Sequence, residues 1–253
     1  MATVRRVLIT GGGRGIGRAV ALRLAQDGHS IAVTARSENE IGAVAAEVGG
    51  VALAVDLADA EAASALAGRA AEVLGGPVEI FVHAAGIASI APLHKLSPED
   101  WRRAFAVNVD AAFYVGRDLM RPMRDAGWGR IVTIASLRAR VGVPTTGAYA
   151  ASKHALLGLT RVIAAELAPH GATANAVVPG WVDTQMVQDE ITKFAAALDV
   201  SREEAQRRLL REQKIGRFLA PAEVAGMVGY LCGEEAAGVT GQALHIDGGS
   251  YQA

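Results

Sequence analysis

Short apolar runs alternate along the chain with longer segments in which apolar positions recur at helical spacing. The runs are rich in β-branched residues and end at glycine or polar positions, which is typical of buried strands. The pattern predicts seven strands, at Val7–Thr10, Ile31–Ala35, Ala52–Val55, Ile80–Ala84, Ile131–Ala135, Ala174–Val178 and Ala243–Ile246. Because helical segments fill the gaps, we predict right-handed crossovers and an α/β fold, a doubly wound sheet of about seven parallel strands flanked by helices.

Two helix starts are marked by capping residues. Ser97 precedes Pro98, a residue that suits the first position of a helix, and Ser201 with Glu204 forms a capping box. The second of these helices is charged and amphipathic, and we predict that it runs through Gln213. The regular alternation stops only between residues 184 and 216, where we predict an inserted lid of two short helices. The chain is otherwise predicted to be a single domain, 1–253.

Composition narrows the class of protein. The chain has 253 residues, 51% of them hydrophobic, and a net charge of -1, so it carries no basic surplus for nucleic acid or acidic lipids. Cys232 is the single cysteine, which excludes an intrachain disulfide. No apolar run reaches the roughly 18 residues that span a bilayer, and Met1–Arg6 lacks the apolar region of a signal peptide. We therefore expect a cytoplasmic protein that binds neither nucleic acid nor membrane.

A glycine-rich loop follows the first predicted strand and opens the first helix. Its sequence is Thr10-Gly11-Gly12-Gly13-Arg14-Gly15-Ile16-Gly17. Glycines allow backbone amides to approach a pyrophosphate closely, and the helix N-terminus adds positive potential. A tight turn would explain the glycines alone equally well. The strand before the loop and the helix after it favour a dinucleotide site.

The spacing T-G-x-x-x-G-x-G resembles that of the classical short-chain dehydrogenase/reductase family, and further motifs extend the resemblance over nearly the whole chain. It implies a Rossmann-type fold and an oxidoreductase that uses NAD(P). Asp56 and Leu57 resemble an adenine-contacting pair, although Asp56 alone would also suit a helix cap. Pro179-Gly180-Trp181-Val182-Asp183-Thr184 resembles the family's PGxxxT motif. Together, the cofactor-binding residues implied are Thr10, Gly11, Gly13, Arg14, Gly15, Ile16, Gly17, Arg36, Asp56, Leu57, Ala85, Gly86, Tyr149, Lys153, Pro179, Gly180, Val182 and Thr184.

The end of the second strand indicates which nicotinamide cofactor binds. NAD enzymes of this architecture usually place an acid there, on the ribose hydroxyls. This chain has Ala35 followed by Arg36, and Arg14 lies in the glycine loop. A guanidinium binds a 2′-phosphate that a carboxylate would repel. We therefore expect NADP(H) to be preferred and NAD(H) to be possible, while either arginine alone would also suit an exposed surface.

Tyr149 and Lys153 are the candidate proton-transfer residues. They are four positions apart in a helical segment, so their side chains share one face. A nearby ammonium would lower the pKa of the phenol, which is ordinarily about 10. Spacing alone would equally suit a packed ring beside an amine.

Two further residues complete the resemblance to the family's catalytic set. Ser136, after the fifth strand, would bond the carbonyl or alcohol oxygen, and Asn108 would hold a water that links Lys153 to solvent. Each has an ordinary alternative, a cap for Ser136 and a buried amide for Asn108. Their joint occurrence with Tyr149 and Lys153 favours catalysis.

The chain departs from the family after the fourth strand. The usual sequence there is Asn-Asn-Ala-Gly, whereas this chain has His83-Ala84-Ala85-Gly86. The amides that would brace the central strands are missing. We expect His83 to replace them structurally and not to act as a catalytic base, because the acid/base role is already filled.

The predicted substrate pocket lies beyond Ser136 and under the lid. Candidate substrate residues are Arg138, Val143, Trp181, Met186 and Val187, and no metal is expected. The lid resembles those of 3-hydroxybutyrate dehydrogenases and aromatic polyketide ketoreductases. Arg138 and Ala88 stand where the former group has residues that grip a carboxylate. Arg138 and Arg140 would suit an acidic or phosphate-bearing substrate such as a CoA thioester, or simply the rim of a cleft.

Three hypotheses remain open. The first is an NADPH-dependent reductase of a ketone or β-keto substrate, with an acyl thioester or a polyketide-like molecule as examples. The second is an NAD-dependent dehydrogenase of 3-hydroxybutyrate or another secondary alcohol. The third is a non-catalytic nucleotide-binding protein, which would need no proton relay. The resemblance also implies a homotetramer or dimer, with Asp247-Gly248-Gly249 near a subunit interface.

Overall fold

The computed structural model describes residues 3–251, and its centre is a seven-stranded parallel sheet. The strand order is β3-β2-β1-β4-β5-β6-β7. Each strand lies within two residues of its predicted bounds, so the doubly wound fold is confirmed. The strands are β1 Arg6–Thr10, β2 Ser30–Ala35, β3 Val51–Ala54, β4 Ile80–His83, β5 Gly129–Ile134, β6 Ala172–Pro179 and β7 Ala243–Ile246.

Helices cover both faces of the sheet. They are α1 Gly15–Gln26, α2 Glu38–Val48, α3 Ala60–Val73, α4 Pro98–Phe105, α5 Ala111–Ala126, α6 Gly147–Leu167, α7 Gln185–Leu198, α8 Arg202–Leu210 and α9 Pro221–Cys232. Ser97 and Ser201 cap α4 and α8 as predicted. The prediction that the second helix continues through Gln213 is wrong. It ends at Leu210 because the chain turns there and carries Gln213 inward.

The core has two halves, one on each side of the sheet. Val7 and Ile9 of β1 pack against α1, α2 and α9, while Leu8, between them, packs against α3 and α5 on the opposite face. Consecutive residues of a strand point to opposite faces, so a strand covered by helices on both sides must be apolar throughout. This explains why the strands are continuous apolar runs in the sequence and why their bounds could be predicted closely.

The sheet order creates a crevice at the carboxyl ends of β1 and β4. These strands are neighbours in the sheet but not in the sequence, and their crossovers depart in opposite directions. A doubly wound sheet binds its ligands at such a switch point. The last residues of the two strands, Thr10 and His83, are in register there. The glycine loop and Ala84–Gly86 extend from this point.

The lid is a small unit of α7 and α8 with an apolar core of its own. Ile191, Ala205 and Leu209 are buried in that core together with Trp181. Gln213 fastens the base of the lid: its amide oxygen accepts the Trp181 backbone N–H at 2.7 Å, and its amide nitrogen donates to the Trp181 carbonyl at 3.2 Å. The two predicted short helices are confirmed. Within residues 3–251, no helix is long and apolar enough to cross a membrane.

Candidate functional site

The crevice continues as a cleft whose first wall is the glycine loop. Gly11 has a φ of 67°, and a Cβ there would lie 2.8 Å from the backbone of Ala85. A Cβ on Gly17 would lie 2.1 Å from the Gly11 carbonyl oxygen. Any side chain at either position would therefore displace the backbone. The loop lies close to the strand ends because these two residues are glycine, and it leaves a shallow cradle that fits a pyrophosphate.

The N-terminus of α1 faces this cradle. Arg14 is the residue before the helix, and no side chain caps the first turn. The backbone amides of the first turn of α1 are thus available to an anion, and the helix dipole adds positive potential at the same place. Thr10 lies below the loop and not on the cleft wall: it is fully buried, and its hydroxyl oxygen accepts the Ala85 N–H at 3.3 Å. We correct its predicted cofactor contact to a positioning role.

The far end of the cleft carries the residues expected at the adenosine. Ala35, Arg36, Asp56 and Leu57 line it, and Arg36 is exposed. The Asp56 carboxylate accepts the Ala58 N–H at 3.0 Å, while Asp59 and not Asp56 caps α3. Asp56 therefore orders its own turn and still faces the cleft.

The two arginines expected at the 2′-phosphate are not equivalent. Arg14 Nη1 lies 3.7 Å from a carboxylate oxygen of Glu40, which also lines the cleft. Glu40 could not be singled out from the sequence, since it lies on the first turn of α2 among other polar residues. Its charge offsets that of Arg14, so Arg36 is the stronger candidate for binding a phosphate.

Ser136, Tyr149 and Lys153 lie together on the wall of an adjoining cavity. Ser136 comes two residues after β5, where its hydroxyl oxygen accepts the Arg138 N–H at 3.2 Å and begins a short 3-10 turn. Tyr149 and Lys153 are successive residues of one face of α6, and the Lys153 ammonium is 5.8 Å from the centre of the Tyr149 ring. The ammonium is buried and donates to the Ile134 carbonyl at 2.7 Å. The spacing in the sequence thus does place both side chains at one site.

The electrostatics of this set differ from the expectation. Burial raises the pKa of Tyr149 above its ordinary value, and the Ser136 hydroxyl acts in the opposite direction. Burial also lowers the pKa of Lys153 to about 8. The prediction that Lys153 lowers the pKa of the phenol is wrong for this state, because the ammonium turns toward Ile134 and desolvation dominates. A raised pKa keeps the phenol protonated near neutral pH.

Asn108 lies in a π-helical turn, Ala106–Asp110, between α4 and α5. Its amide oxygen accepts the Ile87 N–H at 2.8 Å, and its amide nitrogen donates to the Ile87 carbonyl and to the Ser152 hydroxyl at 3.0 and 2.9 Å. It therefore fixes the segment that follows Gly86 against α6, next to Lys153. These contacts support the buried-amide alternative, and the water-holding role stays a prediction. The wide turn itself was not predicted, although such turns are frequent at functional sites.

His83 takes the place of the missing amide. Its ring is fully buried, and Nδ1 is 2.9 Å from the Thr10 hydroxyl oxygen. Nε2 faces the backbone of Val107 and Asn108 in the π-helical turn, with no hydrogen bond of regular geometry among the described residues. Burial and the Lys153 charge lower its pKa to about 3, so the ring is neutral. This geometry supports the structural interpretation of His83.

The cavity beyond Tyr149 is where a substrate would lie. Trp181, Met186 and Val187 line it as predicted. Val143 does not: it lies outside the cavity wall, where its carbonyl accepts the Thr146 hydroxyl at 2.8 Å. Arg138 lines the cavity, but its guanidinium is 3.5 Å from the Glu212 carboxylate and is 5.5 Å from the centre of the Trp181 ring. It is therefore paired and not a free cation.

Two acids in the cavity wall were missed by the sequence interpretation. Glu190 and Glu212 both line the cavity, one on α7 and the other just after α8. Glu190 follows Met186 and Val187 at helical spacing, so its position on their face could have been found from periodicity. Glu212 could not, because its direction depends on the turn after α8.

The remaining predicted cofactor residues line the cleft, the adjoining cavity or both. The lid residue Thr184 packs against the glycine loop: a Cβ on Gly15 would lie 3.2 Å from its methyl group. Along the walls, the structure brings together Ile16, Ala85, Gly86, Pro179, Gly180, Val182 and Thr184. Within residues 3–251, no three histidine, cysteine or acidic side chains come close enough to hold a metal ion. The order of parts is thus adenosine end, pyrophosphate cradle, proton-transfer set and lid.

This order defines a class of protein, the oxidoreductases that move a hydride between a nicotinamide cofactor and a carbonyl or alcohol. Known proteins agree. Residues 11–251 match a family model described as enoyl-(acyl carrier protein) reductase. The chain is 36% identical over 245 residues to the 3-oxoacyl-(acyl-carrier-protein) reductase MabA of Mycobacterium tuberculosis, covering 97% of this chain and 92% of the relative. It is 34% identical over 252 residues to a D-beta-hydroxybutyrate dehydrogenase of Rhizobium meliloti, covering 97% and 98%.

A solved structure gives the same result. The chain superposes on a variant of the actinorhodin polyketide ketoreductase with NADPH at a TM-score of 0.93, with 36% identity and 99% of both chains covered. The protein belongs to the short-chain dehydrogenase/reductase family. It is an NAD(P)-dependent oxidoreductase that acts between CH–OH and C=O, as the sequence predicted.

Proposed function

We propose that this protein is an NADPH-dependent ketoreductase, working also as an alcohol dehydrogenase in reverse, on a ketone or β-keto substrate such as an acyl thioester or a polyketide-like molecule. One observation carries the proposal. The cavity lined by Ser136, Tyr149 and Lys153 adjoins a cleft that ends at Arg36. Position 35, at the end of β2, is alanine and not an acid. A site of this form presents a carbonyl to a proton donor and a nicotinamide at the same time.

The residues have separate tasks. The cofactor, when bound, supplies the hydride. Ser136 donates a hydrogen bond to the carbonyl oxygen, and Tyr149 protonates that oxygen as negative charge develops on it. The raised pKa of Tyr149 suits reduction, because it keeps the phenol protonated. Lys153 lies beside the ring as a buried cation and provides positive potential near the developing charge.

Cofactor preference depends chiefly on Arg36. Its side chain is exposed at the end of β2 and is free to bind a 2′-phosphate through charge-assisted hydrogen bonds. Arg14 contributes less because Glu40 lies 3.7 Å away. The pairing of Arg14 with Glu40 also favours some use of NAD(H), because that cofactor lacks the 2′-phosphate and does not need a free Arg14.

A second candidate function is an NAD-dependent dehydrogenase of 3-hydroxybutyrate or another secondary alcohol. The relationship to a D-beta-hydroxybutyrate dehydrogenase favours it. The pairing of Arg138 with Glu212 speaks against it, since a small carboxylate substrate would need that guanidinium. A purely nucleotide-binding role is disfavoured, because such a protein has no use for a buried cation beside the cavity tyrosine.

The test is a spectrophotometric assay of NADPH and NADH oxidation with ketones, β-ketoacyl thioesters and acetoacetate. We expect reduction of at least one uncharged ketone or thioester, with a higher kcat/KM for NADPH than for NADH. Turnover of acetoacetate alone, and with NADH, would support the second candidate. Absence of turnover with every carbonyl would contradict both enzymatic functions.

We also propose a homotetramer or dimer in the cytoplasm. Phe113 on α5 and Val162 on α6 are large apolar side chains exposed on the outer surface, and β7 is a half-exposed edge strand. Cys232 is buried, and burial raises the pKa of its thiol to about 12, which protects it from oxidation. Light scattering should give the mass of two or four chains. A monomeric mass would contradict the assembly.

A further inference from the structure

The charged groups of the substrate cavity are unequal in number. On the side away from the glycine loop, among residues 3–251, the lid and the turn after β5 contribute one cation, Arg138, and two acids, Glu190 and Glu212. Lys153 is the other cation of the wall, but it is held by the Ile134 carbonyl. The far side of the cavity therefore carries more negative than positive charge when both acids are ionised.

The charge of Arg138 is offset by a neighbouring acid, Glu212. One carboxylate oxygen of Glu212 is 3.5 Å from the guanidinium and 3.4 Å from the indole nitrogen of Trp181, which donates to it. The arginine side chain is only 14% exposed and lies 5.5 Å from the centre of that indole ring. A substrate anion that approached the guanidinium would therefore meet the Glu212 carboxylate beside it.

Glu190 adds a second acid close to the reaction centre. Its charge acts on Tyr149, as does that of Arg138 in the opposite sense. The charges that act on Glu190 itself are those of Arg138, Glu212 and Lys193, and its burial raises its own pKa. A carboxylate bound beside Tyr149 would therefore be desolvated in the presence of a second, partly buried carboxylate.

An uncharged substrate with hydroxyl groups meets no such penalty. A carboxylate is a strong acceptor, and a hydroxyl that donates to it forms a charge-assisted hydrogen bond. The apolar side chains of Trp181, Met186 and Val187 on the same wall suit the carbon skeleton of such a substrate. The described part of this wall thus combines apolar surface with acceptors, and its cation, Arg138, lies beside Glu212.

We propose that Glu190 and Glu212 determine specificity, selecting an uncharged ketone with hydroxyl groups near the carbonyl and disfavouring small keto acids. The inference rests on the proposed ketoreductase function and names the substrate class of that same site. The two acids act by charge on the substrate and are not proton-transfer residues, so chemistry at Tyr149 does not require them.

Two matched substrate pairs test the proposal. Acetoacetate and its ethyl ester differ in charge, and hydroxyacetone and butanone differ by a hydroxyl in place of a methyl group. For the wild-type protein we expect kcat/KM to favour the ester over acetoacetate by about tenfold or more. We also expect hydroxyacetone to be favoured over butanone. A wild-type preference for acetoacetate over the ester would overturn the proposal.

The variant that tests the residues is the double substitution Glu190→Gln and Glu212→Gln. Glutamine keeps the size and the hydrogen-bond acceptor but removes the charge, so we expect both preferences to shrink by about tenfold. Glu203→Gln is the matched control, because Glu203 is an exposed acid of α8 outside the cavity. Unchanged ratios in the double variant, with thermal unfolding equal to that of the control, would overturn the proposal.

Binding separates this proposal from the proposed function. Calorimetric titration of the Tyr149→Phe variant with NADPH and each of the four compounds measures selectivity without turnover. If no ketone is reduced, the proposed function fails. The proposal about the two acids still holds in that case if removing the charges of Glu190 and Glu212 strengthens the binding of acetoacetate. If ketones are reduced, but acetoacetate binds Tyr149→Phe equally well with and without the double substitution, only the proposal about the two acids fails.

Discussion

Single residues shape the two parts of the cleft where the phosphates of a cofactor are expected. Gly11 and Gly17 exclude a Cβ at the pyrophosphate cradle, and Arg36 leaves a guanidinium exposed at the end of β2. These contributions could be predicted from the sequence because they depend on local spacing. The offset of Arg14 by Glu40 could not, since it arises where α2 packs near the glycine loop.

The difference between the two arginines gives the first prediction. Arg36→Asp should lower the NADPH/NADH ratio of kcat/KM by about 100-fold, because it replaces a charge-assisted contact with repulsion. Arg14→Ala should change the same ratio by less than about tenfold, since Arg14 is already paired with Glu40. Steady-state kinetics with both cofactors measures each ratio. Equal effects of the two substitutions would contradict the assignment.

A second prediction concerns the buried charge of Lys153. Burial lowers its pKa from the ordinary 10.5 to about 8, so the folded state loses this proton at lower pH than the unfolded state. Between those values the unfolded chain binds more protons, and stability should rise with pH. Denaturant unfolding of the cofactor-free protein and of Lys153→Met, from pH 7 to 10.5, measures this. The wild type should gain stability relative to the variant between about pH 8 and 10.5. If the stabilities of the two proteins change equally with pH, burial does not lower the pKa of Lys153.

Secondary-structure elements set the relative positions of these residues. Helix α6 presents Tyr149 and Lys153 on one face, and the π-helical turn before α5 places Asn108 beside them. The helix could be predicted from periodicity. The turn could not, because five residues of π-helix look like ordinary helix in a pattern of apolar positions.

His83 lies at the end of β4, between Thr10 of β1 and the π-helical turn, and its titration gives a third prediction. Its pKa falls from the ordinary 6.5 to about 3 on folding, so only the unfolded chain binds a proton between those values. Stability should therefore decrease as the pH falls below 6.5. His83→Asn, which restores the family's amide, should weaken this acid dependence, while His94→Asn at an exposed histidine should not. Urea unfolding from pH 7 to 4 compares the wild type with the two variants. The same dependence of stability on pH in all three proteins would contradict a buried, neutral His83.

The lid depends on Gln213 for its attachment. Gln213→Met keeps the volume but removes two buried hydrogen bonds to Trp181, at a cost of about 2 kcal/mol. We expect a higher KM for the carbonyl and faster trypsin cleavage in the lid, with little change in the Kd of NADPH, because the lid walls the substrate cavity. Gln206→Met, at a less buried position of α8, is the control. An equal rise in the Kd of NADPH would contradict a substrate-side role.

At the scale of the whole molecule, the sequence predicted the fold closely and the site in part. The parallel sheet follows from apolar strands such as β1 and β5 that are covered on both faces. The strand ends then bring Ser136 and the glycine loop to one edge of the sheet. The contact between Arg138 and Glu212 was beyond prediction, since it joins the turn after β5 to the end of the lid. Charge pairing across such a distance in the chain depends on tertiary packing.

Tyr149 is the proposed proton donor of a ketoreductase. The most direct test is kcat for reduction of an accepted ketone with NADPH by Tyr149→Phe, with Tyr230→Phe at an exposed tyrosine of α9 as control. Removing the hydroxyl should lower kcat by about 10²–10⁴-fold, the usual contribution of a general acid, while the Kd of NADPH and the control's kcat stay near wild type. Turnover by Tyr149→Phe close to that of the wild type would show that Tyr149 is not the proton donor.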